Sequence, residues 1–266
     1  MGRLPSTNGI AVSERIIYEH PLNERARTFL RLEHLFQQTS YFLEQSDSWD
    51  SRAAIRCLLD VLNIFSRYEL KKEILKELER QASNLEQVRV QPGVDIDMLS
   101  QVLDDLENST HQIYQLNGQI GQSLRENEFL TAIIQRSSIP GGSCAFDLPQ
   151  YHFWLSLPYE MREKQLKSWF NEFRPIYDAI ILLLSLIRGS TRPAQEVAKK
   201  GFFQKSLDAQ SPAQLIQVIV PNDALYFPEV SGNKHRFNIR FLMAAGVSRP
   251  SQIAEDIPFS LNTCTI

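Results

Sequence analysis

The sequence contains no P-loop, no GxGxxG, no HExxH and no GxSxG. These absences remove the local signatures of nucleotide hydrolysis, dinucleotide binding, zinc proteolysis and the α/β-hydrolase nucleophile. Cysteine is scarce: Cys57, Cys144 and Cys264 are far apart and form no CxxC. That spacing argues against a disulfide scaffold or a zinc site and fits a reducing cytosol. Long apolar runs are also missing. The longest, AIILLLSLI at 179–187, is too short to cross a bilayer and reads as a buried helix. The N-terminal stretch MGRLPSTNGIAVSE is polar, so no secretory signal is expected. Nor is there an excess of positive charge: the net charge is −3, whereas a chain that coats nucleic acid is usually basic throughout. The five histidines, at 20, 34, 111, 152 and 235, show no metal-ligand spacing. Acid pairs such as Asp104–Asp105 read as a solvated helix face, and Cys144 as a small buried side chain rather than a nucleophile.

What is present is an α+β order, with helices collected early and strands late. Residues 1–14 read as a flexible arm, and RIIYEH, 15–20, as a short strand. Asn23 is a plausible N-cap for a helix with an apolar stripe of Leu22, Ala26, Phe29, Leu32, Phe36 and Leu43. Arg27, Arg31 and His34 share another face of it. Helices are expected at 52–67, at 69–89 (stripe Leu70, Ile74, Leu78, Leu85, Val88), at 95–107 with a solvated acidic face, and at 122–136. The stripe at Leu70, Ile74 and Leu78 reads as core rather than as a dimer seam. SIPGG, 138–142, suits a type II turn centred on Pro140 and Gly141. The following SCAFDLPQYHFWLSLP reads as two strand pieces joined at Pro149, with His152, Trp154 and Ser156 on one face. Helix returns at about 160–188, and after about 199 come strand candidates GFFQKSL, LIQVIV, ALYFPEV, KHRFNIRF and DIPFSL. The expected architecture is a helical domain (22–136 and 159–193) packed on a mostly antiparallel, sandwich-like strand domain (15–21, 137–158 and 194–266), with the chain crossing between the two.

One stretch stands apart in this acidic chain. SGNKHRFNIRF, 231–241, alternates as a strand, with Lys234, Arg236, Asn238 and Arg240 on one side and His235, Phe237, Ile239 and Phe241 on the other. The apolar side reads as core. The cations admit three readings: a solvated face, edge charges that block sheet pairing, or a dock for an anionic partner.

Four stretches together resemble the ZapD family: YEHPLNERARTFLRLEHLF (18–36), LKELERQ (75–81), SIPGGSCAFDLPQYHFWLSLP (138–158) and SGNKHRFNIRF (231–241). The resemblance implies a cytoplasmic homodimer, acting at the mid-cell division site, that binds the C-terminal peptide of FtsZ and crosslinks its filaments, with no catalysis and no cofactor. It also implies that Arg31, Arg125, His152, Lys234, Arg236, Arg240 and Arg27 contribute to the dock. The family pattern places a further cation just after Arg125, where this chain has Glu128. An acidic, partly apolar tail suits arginine, whose guanidinium bonds both carboxylate oxygens at once. The implied partners exclude nucleic acid and membrane insertion. Two alternatives use the same residues differently: a nucleic-acid binder built on the basic strand with Tyr151, Phe153 and Trp154, or an enzyme assembled from His34, His152 and Cys144. Finally, EDIPFSL, 255–261, mixes acid and apolar residues as such a tail does, and reads either as a plain final strand or as a segment filling the dock in cis.

Overall fold

The computed structural model of the protein describes residues 15–67, 69–116, 118–208, 210, 212–243 and 249–265. The arm expected at 1–14 lies outside them. The elements run β1 (Arg15–Pro21), α1 (Glu24–Leu43), α2 (Ser48–Arg67), α3 (Leu70–Val88), α4 (Ile96–Gln115), α5 (Gln122–Glu126), α6 (Glu128–Arg136), α7 (Pro149–Ser156), α8 (Tyr159–Asn171) and α9 (Arg174–Gly189). There follow β2 (Ala194–Ala198), β3 (Phe202–Ser206), β4 (Leu215–Pro221), β5 (Tyr226–Gly232), β6 (Arg236–Met243), β7 (Ser251–Gln252) and β8 (Ile257–Cys264). The fold is α+β. The described residues of 27–186 form one compact, helical unit, and those of 15–26 with 187–265 form a second that holds all the described strands.

Side-chain caps set several helix starts. Asn23 Oδ1 accepts from Ala26 N at 2.8 Å, Asp95 Oδ1 from Met98 N at 3.0 Å, and Asn127 Oδ1 from Leu130 N at 3.1 Å. Each satisfies an amide that the first helical turn leaves unpaired. The Asn127 cap also ends the single helix expected at 122–136, which is therefore two, α5 and α6. Phe29, Leu32, Phe36, Leu70, Ile74 and Leu78 all lie in one apolar core, as their spacing requires. Asp97, Asp104, Asp105 and Glu107 of α4 are exposed. The Ile139–Gly142 turn has its amide–carbonyl bond (Gly142 N to Ile139 O, 2.9 Å) and Gly141 at φ +73°, the left-handed value a type II turn needs there.

The strand reading of 144–158 is overturned. Residues 149–156 are α7, and the segment 137–158 belongs to the helical unit. Pro149 opens α7 in its first turn, where a proline has no amide to lose and its fixed φ suits the helix. His152 consequently does not share a face with Trp154: the histidine is exposed and the tryptophan buried.

In the strand unit, two antiparallel sheets have the orders β1-β4-β8-β2 and β3-β6-β5, with β7 added to the end of β6. One apolar layer is shared between them, from Val218, Phe259 and Leu261 of the first sheet to Phe237, Ile239 and Phe241 of the second. The Phe241 and Phe259 rings meet at 5.1 Å. Leu22, expected at the head of the α1 stripe, packs here instead, because it precedes the helix and donates its amide to Gln214 O at 2.9 Å. Strand β8 is an inner strand, paired with both β4 and β2, so 257–261 is plain sheet and the idea of a segment filling a dock in cis falls.

A polar cluster closes the outer side of the first sheet. Arg188 donates to Glu19 through Nε (2.8 Å to Oε1) and Nη2 (2.7 Å to Oε2), a fork-on-fork pair joining positions 169 residues apart. Gln217 Nε2 adds a third bond to Glu19 at 2.9 Å, and Asn262 Nδ2 donates to Gln217 Oε1 at 3.0 Å. Burial pushes the Glu19 carboxyl up, but the hydrogen bonds from Arg188 and Gln217 and the arginine's charge outweigh it, and the net shift is downward. Burial, with Glu19's charge, pushes the Cys264 thiol up to about 12, so it stays protonated at neutral pH.

The Glu19 shift makes a prediction. A carboxylate with a lowered native pKa adds stability that is present above its unfolded value and is lost as pH falls through the native one. Glu19→Gln should cost about 2–4 kcal/mol at pH 7, since it removes the carboxylate onto which Arg188 (28% exposed) forks. The deficit should shrink below the ordinary value of 4.5, as the wild-type loses its own advantage. Urea unfolding of both proteins between pH 7 and pH 3 reads this directly.

Candidate functional site

The cationic strand sits where its sequence can be both core and surface. A hairpin joins β5 to β6 through Asn233–His235. Asn233 N donates to Arg236 O at 2.9 Å, and Asn233 Oδ1 accepts from His235 N and Arg236 N at 2.9 and 3.2 Å. This Asx-type closure puts Lys234 and His235 in the turn, not on the strand. The cation face expected to include Lys234 is therefore shorter, although Lys234 is itself exposed. Gly232 faces Phe237 across the ladder, where a Cβ would come within 2.7 Å of the Phe237 Cβ, so only glycine lets the hairpin close over that ring.

From Arg236 onward the alternation holds. Phe237, Ile239 and Phe241 are wholly buried, and Arg236 and Arg240 are exposed, their guanidinium groups making no hydrogen bond or ion pair among the described residues. β6 is flanked by β3 over 236–240 and by β5 over 237–243, so it is an inner strand. The reading of its cations as edge guards is thereby excluded. Both hydrogen-bonding edges of this stretch are occupied, so a partner meets it through side chains, not by adding a strand to it.

The register adds neighbours that the stretch alone did not show. Arg240 lies opposite Phe202 of β3 and Glu229 of β5, Asn238 opposite Gln204 and Ser231, and Arg236 opposite Ser206. All five neighbours are exposed. The face thus carries two arginines, a ring of short polar groups, one apolar side chain and one carboxylate. Alternation in GFFQKS was the signal that Phe202, Gln204 and Ser206 share a face; cross-strand register, which a single segment does not encode, was needed to bring them to the arginines.

In the helical unit the expected residues differ in character. Arg31, on α1, is exposed and makes no bond among the described residues; Arg27, one turn earlier, is half-buried and partnered. His152 is exposed on α7. Arg125, at the end of α5, turns inward: Nη2 donates to the Leu62 carbonyl at 3.1 Å and Nε is buried. Glu128 is exposed in the first turn of α6, where a carboxylate favours the helix dipole.

The alternatives fare poorly against this geometry. Of the aromatics assigned to base stacking, Tyr151 and Trp154 are core, 4% and 5% exposed, and Phe153 alone of the three faces solvent. No group of three or more His, Cys, Asp or Glu side chains among the described residues is placed to hold a metal ion. Cys144 donates to Asp147 Oδ2 at 3.2 Å, an acid rather than a histidine base. No helix among the described residues is long and apolar enough to cross a membrane.

One charge-reversal variant and one truncation separate surface cations from structural ones. Arg236→Glu with Arg240→Glu should change stability by less than about 1 kcal/mol, because neither side chain has a partner to lose. Arg125→Ala should cost about 1–3 kcal/mol by removing the bond to the Leu62 carbonyl and emptying a packed position. Urea midpoints at constant m-value distinguish the two outcomes.

Comparison with known proteins gives concordant matches. The ZapD family model, described as a cell division protein, matches residues 30–240. The cell division protein ZapD of Methylococcus capsulatus is 41% identical over 255 residues, covering 96% of this chain and all of that protein. The ZapD of Chromobacterium violaceum is 42% identical over 250 residues (94% and 99% of the two chains), and that of Aromatoleum aromaticum 40% over 252 (94% and 98%).

Proposed function

From the premise that the chain belongs to the ZapD family of cell division proteins, we propose that it binds the acidic, partly apolar C-terminal peptide of FtsZ and, as a homodimer, ties FtsZ filaments into bundles at the mid-cell division site in the cytoplasm. The observation that carries this reading is the pair of unpartnered arginines, Arg236 and Arg240, held on a rigid inner strand beside the exposed Phe202. A guanidinium with no internal partner keeps its hydrogen-bonding capacity for an incoming carboxylate, and the strand behind it removes the entropy of positioning it. Phe202 offers the apolar contact that a mixed tail requires.

Arg31 and His152 are second contributors in this proposal, being exposed, with side chains that make no bond among the described residues. Lys234 in the hairpin turn adds long-range attraction rather than a fixed bond. Arg27 and Arg125 contribute less, the first because it is already partnered and the second because it is committed to Leu62. Filaments display many tails, so a two-site dimer gains by effective concentration even where each contact is weak. The role needs no catalysis, no cofactor and no nucleic acid.

Sedimentation of polymerising FtsZ tests this. The wild-type protein should increase the pelleted polymer, FtsZ lacking its C-terminal peptide should abolish the increase, and Arg236→Glu with Arg240→Glu should cut it at least about tenfold in half-maximal concentration. Pelleting that needs the peptide but tolerates the reversal moves the dock to Arg31 and His152. Absence of any effect removes the reading.

A further inference from the structure

A second cationic groove lies within the helical unit, distinct in residues from those above. It is a cavity of about 560 Å³ between α2 and the α6–turn segment, and it is lined by three arginines (Arg52, Arg56, Arg136) and no acid. Its floor is apolar, with Ile55, Leu59 and Ile133, and its rim carries the exposed Ile139 and Trp49. The arginines are held in place. The Arg52 guanidinium lies 5.2 Å from the Trp49 ring and 4.9 Å from the Tyr151 ring, and Nη1 donates to Ser143 O and Oγ, both at 3.3 Å. It has no carboxylate partner among the described residues. Arg56 bonds Asp60 at 3.3 Å, and Arg136 approaches Asp147 at a loose 3.7 Å.

We propose that this groove is a docking site for a short acidic peptide with alternating bulky apolar side chains. The charge argues the occupant. A guanidinium stacked between two rings, bonded to Ser143 and without a carboxylate partner, presents a fixed fork with donors to spare, the geometry that captures a carboxylate. The apolar floor between the arginines requires side chains that an isolated anion lacks. The stretch of α2 from Trp49 to Leu59 is about 15 Å long, which spans about four or five extended residues. A nucleic-acid backbone fits less well, since the apolar floor of Ile55, Leu59 and Ile133 between the arginines offers nothing to a continuous run of phosphates.

Trp49 provides a selective probe. It is 74% exposed, whereas Trp154 and Trp169 are 5% and 6% exposed, so acrylamide quenching of tryptophan emission reads this groove. The probe ligand is a capped synthetic pentapeptide, Asp-Leu-Asp-Leu-Asp, with Lys-Leu-Lys-Leu-Lys and a twelve-base-pair duplex as controls. The acidic peptide should protect Trp49 from acrylamide in a saturable manner. Arg52→Gln and Arg136→Gln should each weaken that protection about tenfold, and the Arg236→Glu, Arg240→Glu protein should retain it in full. Circular dichroism melts verify that the variants are folded, and Trp49→Phe should abolish the signal. No protection at millimolar peptide, equal protection by the lysine peptide, or protection by the duplex alone would each overturn the proposal. Because the strand arginines are left intact in the groove variants, loss of FtsZ pelleting and loss of Trp49 protection are separate results.

Discussion

The strand unit is assembled from the two ends of the described chain, and the fork between Arg188 and Glu19 is the contact on which that assembly depends. β1 comes before the helical unit and every other strand after it, so β1 must be recognised across a long separation. Backbone pairing with β4 gives affinity but little register information. The carboxylate of Glu19 adds it, because Arg188 and Gln217 reach both of its oxygens only when Glu19 faces Gln217 in the ladder. A slip by one residue would turn the acid to the opposite, apolar face. Burying a charge there is costly, and the pair makes the correct register the one in which that cost is offset.

The same alternation that locates Glu19 also makes the cationic strand. On β6 the rings of Phe237 and Phe241 supply the core of the sandwich, and the arginines between them are left facing water. Binding groups on an inner strand inherit the rigidity of the sheet without contributing to its stability. That division lets the arginines be exchanged with little effect on folding, whereas Gly232 and Asn233, which close the hairpin, admit little change. The helical unit positions its cations differently, by stacking them on rings or bonding them to carbonyls, which spends part of their capacity.

Much of this was legible in the sequence where one periodicity dominated. The stripes of α1 and α3 and the alternation of β6 each bury a single face, so spacing alone names the core. The type II turn was legible because only glycine fits its third position. The errors fall where two signals compete. QYHFWLS has the aromatic content of a strand, yet Pro149 ahead of it acts as a helix opener, and Tyr151, Trp154 and Leu155 then fall on one helical face. Asn127 falls inside the single helix that periodicity places at 122–136, while its side chain caps a new one. Lys234 seemed to extend the strand, but Asn233 before it turns the chain. The cross-strand neighbours of Arg240 and the partners of Arg52 were not legible at all, since both depend on residues brought close by tertiary structure.

The split arrangement of the strand unit bears on how the protein is made. On a ribosome β1 is synthesised first, but its partner β4 lies at 215–221, and β8, the strand between β4 and β2, lies at 257–264. At bacterial elongation rates the interval is on the order of 10–40 s. During that time the helical unit is complete and free to fold, while Ile16, Tyr18 and their neighbours wait as an unpaired, partly apolar ribbon. The first sheet is finished only when its inner strand β8 arrives, so a chain interrupted in its last few tens of residues carries an intact helical unit and no strand sandwich. Nascent β1 is therefore the segment of this protein with most need of a chaperone.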